Sequence, residues 1–261
     1  MTQTMRDQPI GQLLRDWRVR RRLSQLELSV RVEVSTRHLS YIETGRSRPS
    51  PEMISRLTEQ LDLPLRERNA ALLAGGYAPA HHERDLDHPD LARVADALRG
   101  VLDAHRPFPA VLLDRWWDIV DANDAVDVLT AGCDPALLQP PVNALRLSLH
   151  PAGLTHRMID PGPWRAHLLQ QLASRVESTG DLRLVQLQDE VLSWPGLRDL
   201  AAPPAHQVVV PLRLRHGQHE LSLFSLTSRV STAADVTVDE LTVETFHPAD
   251  ARTAQVLTQG T

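Results

Sequence analysis

Three helix-start signals crowd into the stretch between Ser24 and Pro51, and they restrict what it can fold into. Ser24 and Glu27 have the spacing of a capping box, in which a hydroxyl and a carboxylate satisfy two backbone N–H groups left open at a helix start. Ser35 follows a break at Val34 and stands as the N-cap of a helix carrying Leu39 and Ile42. Thr44-Gly45 ends that helix, and Ser50-Pro51 opens another with a cap and a proline at the first helical position. Ahead of this stretch, Ile10, Leu13, Leu14 and Trp17 recur at helical spacing. Beyond it a fourth helix holds Met53, Ile54 and Leu57. A fifth runs from about Pro64-Leu65 to Gly75-Gly76, a strong stop signal. The first 76 residues therefore read as an all-α unit of five short helices.

Charge separates this unit from the rest. The 261 residues carry a net charge of −5, which spread evenly would argue against a nucleic-acid partner. Residues 1–75 hold 13 Arg against 9 Asp and Glu, a net of +4, whereas residues 76–261 hold 15 Arg against 24, a net of −9. A basic module joined to an acidic one is the natural reading. All 28 basic residues are Arg. Arg suits guanine and phosphate recognition, but the bias extends through the acidic half, so GC-rich coding is the simpler cause and hints at an actinobacterial source. The single Cys133 excludes an internal disulfide and a multi-Cys zinc site. No run approaches the ~18 apolar residues of a membrane span, and the polar start lacks a signal-peptide core. A cytoplasmic protein with no membrane partner is expected.

Residues 24–48 divide their labour as a helix-turn-helix requires. One short helix ends in a tight turn, and a second offers polar side chains on its outer side: Thr36, Arg37, Ser40 and, at its end, Thr44. The second helix must present its first residues to base edges while neighbouring groups hold phosphates. Arg37 has the donors for a bidentate guanine contact. Gln25 and Ser35 stand at helix N-termini, where phosphate is favoured, and Arg46 and Arg48 follow in a loop.

The positions of Gln25, Leu28, Val32, Val34, Ser35, Leu39 and Ile42 resemble the Cro/C1-type (XRE) helix-turn-helix pattern. The run from Ser35 to Pro79 is similar to one branch of it, the MmyB-like regulators. There are two departures. Glu33 stands where the family usually has Gly, and Ser29 where it has Ala. A left-handed Glu costs on the order of 1–2 kcal/mol, so a rearranged turn is expected.

After a polar, proline-punctuated stretch at 77–89, read as a linker, helices and strands alternate. The pattern predicts a helix at about 90–105, strands at Pro109–Leu113 and Trp117–Val120, and helices near 124–130, 142–149, 164–177 and 181–193. Strands follow at Gln207–Arg215, Glu220–Thr227 and Leu241–Phe246. This is an α+β domain over 90–261, with helices covering one face of an antiparallel sheet. Residues 113–123, 143–154, 221–225 and 235–250 resemble the MmyB-like ligand-binding domain, a PAS-like sensor. The resemblance implies a small, apolar, fatty-acid-like ligand.

Residues carried over with the matched blocks are Trp117, Asn123, Arg146, His150, Phe224 and Phe246. The three aromatics read equally as core, and Asn123 as a cap for the helix after it. Arg146 and His150, four apart, either share an anion or belong to a surface ion pair. Leu226 and His247 depart from the pattern, standing where a small polar residue and a second Phe are expected.

No nucleophile elbow, phosphate-binding glycine loop or two-histidine zinc helix appears. His81, His82, Asp85, Asp87 and His88 read as a solvated segment rather than a metal site. Neither catalytic residues, a cofactor nor a metal is expected. The sequence points to a regulator that binds a pseudo-palindromic double-stranded operator as a homodimer and senses a small ligand. The alternatives are an antitoxin or protein-interaction module and an enzyme with a helix-turn-helix appendage.

Overall fold

The computed structural model describes residues 8–198, 200 and 209–259. They form two units. The first runs to Leu86 and includes Ser231–Asp239; the second takes Asp87–Val230 and the chain from Glu240.

The first unit has α1 (Ile10–Arg20), α2 (Gln25–Arg31), α3 (Thr36–Glu43), α4 (Pro51–Gln60) and α5 (Leu65–Ala74). Serine caps at 24, 35 and 50 form as expected, the first as a full capping box. All five helices end in the same way, with a left-handed residue just past the cap and the double hydrogen bond of a Schellman motif. After α2, Glu33 N donates to Val30 O and Val34 N to Ser29 O; after α4, Asp62 N donates to Glu59 O and Leu63 N to Thr58 O. Gly45 and Gly76 supply the left-handed position at two ends, but Arg22, Glu33 and Asp62 supply it at three. The turn before α3 is therefore not rearranged: Glu33 accepts φ +55°. Apolar residues after these turns, Leu23, Val34, Leu63 and Tyr77, join a core built on Leu13, Leu14, Trp17, Leu28, Leu39, Ile42, Ile54 and Leu57. At Gly11 a Cβ would lie 2.3 Å from Ile42 O, so glycine lets α1 approach the end of α3.

The stretch read as a linker is largely built into this unit. The Asn69 amide accepts from Ala80 N and His81 N and donates to His81 O, and the Tyr77 hydroxyl donates to Pro49 O. Residues 231–239, which the sequence assigns to the second domain, also pack with the first unit.

The second unit is α+β. Strands β1 (Ala110–Leu113), β2 (Ile119–Ala122), β3 (Leu212–His216), β4 (His219–Arg229) and β5 (Thr242–Pro248) form one antiparallel sheet in the order β2-β1-β5-β4-β3. Its helices are α6 (Ala92–Ala104), α7 (Asp127–Thr130), α8 (Ala144–Leu149), α9 (Pro161–Thr179), α10 (Leu182–Leu192) and α12 (Ala251–Gln259); α11 (Val236–Glu240) lies between β4 and β5. Side chains alternate across a strand. Val111 and Leu113 enter the main core with Leu168, Leu172, Leu187 and Phe246, while Ala110 and Leu112, on the opposite face, are also buried. The sheet is thus covered on both faces at β1, not on one, and α6 packs against β1, β2 and β5.

Strand β2 begins two residues later than predicted. The Asp114 carboxylate accepts from Trp116 N and Asp118 N, closing a turn in which Trp117 takes φ +64°. Gln207 and Val208 lie outside the described residues; the strand there begins at Leu212.

Candidate nucleic-acid interface and ligand cavity

A buried ion pair fixes α3 against α1. Glu43, on the apolar side of α3 beside Leu39 and Ile42, is 5% exposed, and Arg18 of α1 is 8% exposed. Arg18 Nε donates to Glu43 Oε1 at 2.6 Å and Nη2 to Oε2 at 2.9 Å, while Nη1 donates to Leu23 O. The bond to Glu43 raises the guanidinium pKa against the opposing effect of burial. Gln25 Nε2 donates to Glu43 Oε2 at 2.7 Å, so one carboxylate ties α1, the start of α2 and the end of α3. A second tie joins α2 to α3: the hydroxyls of Ser29 and Thr36 lie 3.0 Å apart, which gives the serine at that position a partner. Arg56 donates to the Val32 carbonyl at the end of α2.

The outer side of α3 carries Arg37, whose Nε donates to the Tyr41 hydroxyl at 2.8 Å and whose guanidinium lies over the Tyr41 ring. Arg46 approaches the same ring, 5.9 Å from its centroid. Tyr41 thus orients two exposed arginines on one face. The other expected readers divide. Ser40 is half-exposed on α3 and Ser35 accepts from His38 N as the cap. Gln25 and Thr36 spend polar groups inside the protein. Arg48 Nε and Nη2 donate to Gly75 O, at the end of α5, with the guanidinium over Tyr77. Of the loop pair, Arg46 has the freer guanidinium geometry for phosphate.

The second unit holds a chamber of about 550 Å³ between α9 and strands β1, β4 and β5. It opens to solvent, and polar residues such as Asp114, Gln170, Ser174, Arg175, Thr227 and Glu244 line it, although more of its exposed wall is apolar than polar. A smaller cleft of about 50 Å³ lies deeper, walled by Val111, Leu145, Trp164, Leu168 and Phe246. Trp117, Gln171 and Glu244 line both spaces. Arg175 lies over the Trp117 ring at 4.3 Å, and its Nη1 donates to Arg115 O. Among the described residues no carboxylate forms an ion pair with it. Burial, then the neighbouring Arg229 and Arg115, depress its pKa against the smaller opposing pull of the Asp114 and Glu240 carboxylates. Burial raises the carboxyl pKa of Glu244 against a hydrogen bond from Ser225, and raises that of Asp114 against its two backbone bonds. The cavity therefore combines a desolvated guanidinium with two carboxyls pushed toward the neutral form.

Residues 9–71 match a helix-turn-helix domain family, and residues 94–259 match the MmyB-like transcription regulator ligand binding domain. The chain belongs to the MmyB-like regulators. No curated protein matches it. A helix-turn-helix joined to an MmyB-like ligand-binding domain makes this a DNA-binding transcription regulator with a small-molecule partner, and both families are of regulatory rather than enzymatic type. No helix among the described residues is long and apolar enough to cross a membrane.

Of the ligand residues carried over to this MmyB-like domain, the cavity takes two, Trp117 and Phe246. Asn123 is buried and structural: it accepts from Ala110 N and donates to Leu102 O and Phe108 O, and it does not cap the helix that follows. Arg146 pairs bidentately with Glu190, the surface ion pair, while the His150 ring meets Trp194 edge-on; they do not converge. Phe224 stacks on His247, because it alternates with the inward-facing Leu223. Sequence reasoning missed Arg175 and Glu244. Glu244 had one signal, a carboxylate inside the apolar run Leu241–Phe246. In the former linker, His81 and His82 use their carbonyls in the first unit and His88 caps a short 3₁₀ turn.

Proposed function

We propose that this MmyB-like regulator is a cytoplasmic homodimer that binds a pseudo-palindromic operator through α3 and releases or grips it in response to a carboxylate-headed, fatty-acid-like ligand. Arg37 and Ser40 contact bases and Arg46 contacts phosphate; Gln25, Ser35 and Thr36 hold the reading helix in place. The observation that carries the ligand reading is Arg175, a partly buried guanidinium over Trp117 that no carboxylate among the described residues contacts directly, Asp114 and Glu240 acting on it only from nearby. A charge in that setting favours an anionic ligand. The apolar end of the ligand enters the inner cleft past Trp117 and Phe246. At ~10–15 Å³ per water-sized group, that cleft takes about four groups of the chain, and the rest lies in the adjoining outer pocket.

The test is titration with sodium octanoate and with octylamine, followed by calorimetry and tryptophan fluorescence. Octanoate is expected to bind and octylamine not to. Arg175→Gln should weaken octanoate by roughly 10-fold or more, the value of a hydrogen bond to a charged group. Equal binding of both amphiphiles, or an unchanged octanoate affinity in the variant, refutes the head-group assignment.

A further inference from the structure

The connection between β4 and β5 does not behave as a surface loop. It leaves the sheet after Arg229, packs as part of the first unit over Ser231–Asp239, and returns at Thr242. Four features hold it there. Val236 N donates to His82 O at 2.8 Å, and His82 and Asp235 form a parallel β-bridge. Arg84 Nη1 donates to Asp235 Oδ2 at 2.9 Å, with Asp235 only 6% exposed. Asp239 Oδ2 accepts from Leu65 N. Leu65 is the first residue of α5, and its own N-cap is Pro64, which has no side chain able to cap. Asp239 thus supplies, from 174 residues away in sequence, the negative group that a helix start favours. Val236 and Val238 are buried as well.

The strands at either end of this excursion are the cavity wall. Thr227 pairs with Glu244 and Arg229 with Thr242, and all four line the chamber. Only Val230 separates the end of β4 from the anchored segment, and only Glu240 and Leu241 separate that segment from β5. Coupling of this kind needs a packed element whose arrangement both sites bias.

We propose that residues 231–239 are the coupling element of the regulator, through which occupancy of the chamber changes the first unit, with Arg84, Asp235 and Asp239 as the positioning residues. This rests on the ligand-sensing reading above but not on which ligand is sensed. Its test uses no ligand. Glu244→Leu alters the chamber floor, and amide hydrogen exchange is measured in the full chain for Val236 and Leu65. The substitution should change exchange at both amides by about fivefold or more, the low end of ordinary coupling between sites. In an Arg84→Ala background the change at Leu65 should vanish while that on β5 remains.

Asp239→Asn serves as a second uncoupling variant if Arg84→Ala does not fold. No change at Val236 or Leu65 with Glu244→Leu, or an equal change with the anchors removed, overturns the proposal. Failure of octanoate to bind would refute the ligand assignment and leave this measurement intact. A matching readout is the affinity for the duplex that the wild-type chain selects from a random pool. Glu244→Leu should shift it, and the shift should disappear with Arg84→Ala.

Discussion

Replacing Glu43 with Ala should nearly unfold the first unit, because three buried or half-buried donors converge on its carboxylate. The carboxylate accepts from Arg18 Nε, Arg18 Nη2 and Gln25 Nε2 at 2.6, 2.9 and 2.7 Å. Its removal leaves a guanidinium that keeps only the Leu23 carbonyl and a half-buried amide without its acceptor. Breaking a buried pair by deleting one partner costs about 3–5 kcal/mol. That is a large share of the roughly 5–15 kcal/mol that holds an ordinary domain together. For a domain of this size the melting temperature should fall by about 12 °C or more.

Replacing the pair together, Arg18→Met with Glu43→Leu, removes both the charge and its need for a partner. It should recover most of that loss, since an apolar pair of similar volume avoids the desolvation of two ions. What remains is the cost of the Gln25 amide and the Leu23 carbonyl, which lose their partners. Differential scanning calorimetry of the full chain separates the cases by the size of the shift in melting temperature. A loss below about 1 kcal/mol for Glu43→Ala, or a double variant as damaged as the single one, would refute the claim that the pair clamps the recognition helix.

Other outcomes are expected from the same geometry. Glu33→Gly removes a left-handed Glu and should stabilise the first unit by about 1 kcal/mol in thermal melts; destabilisation would show that the side chain contributes more than its backbone strain costs. Glu244→Gln should raise the melting temperature at pH 7. The wild-type carboxyl is raised in the folded chain, so its neutral form is favoured there, and stability is lost as pH rises from the ordinary carboxylate range through that raised value. The two proteins should melt alike at pH 4. A wild type that gains stability over the variant as pH rises contradicts the assignment. Arg46→Ala should weaken all duplexes alike and lower the salt slope by about one. Arg48→Ala should leave the slope nearly unchanged, because its guanidinium is bonded to the Gly75 carbonyl.

What the sequence discloses is what its neighbours along the chain determine. Ser24 with Glu27, Ser35 with His38 N and Ser50 with Pro51 act within one turn, and each helix start falls where those residues put it. The strands β4 and β5 are legible from alternation, and Trp117 and Phe246 from their matched blocks. Partners far apart in sequence are not legible. Arg18 and Glu43 are 25 residues apart, and only the packing of α1 on α3 gives a charged position on an apolar face its meaning. Arg175 reads as one more polar residue on a long helix until α9 lies across the sheet. The excursion of 231–239 is hidden for the same reason: nothing local distinguishes Asp239 as the cap of α5. The late start of β2 had a local cause, the Asp114 turn, but a tryptophan at positive φ is too rare to expect.

In the proposed function α3, oriented by the Glu43 clamp and Tyr41, reads a specific operator. Selection of duplexes from a random pool by the full chain, repeated with Arg37→Ala, tests it most directly. Enrichment of a pseudo-palindromic site with half-sites about one helical turn apart is expected, with relaxed preference at one base position per half-site in the variant. A pool with no enriched sequence, or an identical site chosen by the Arg37→Ala protein, would contradict it.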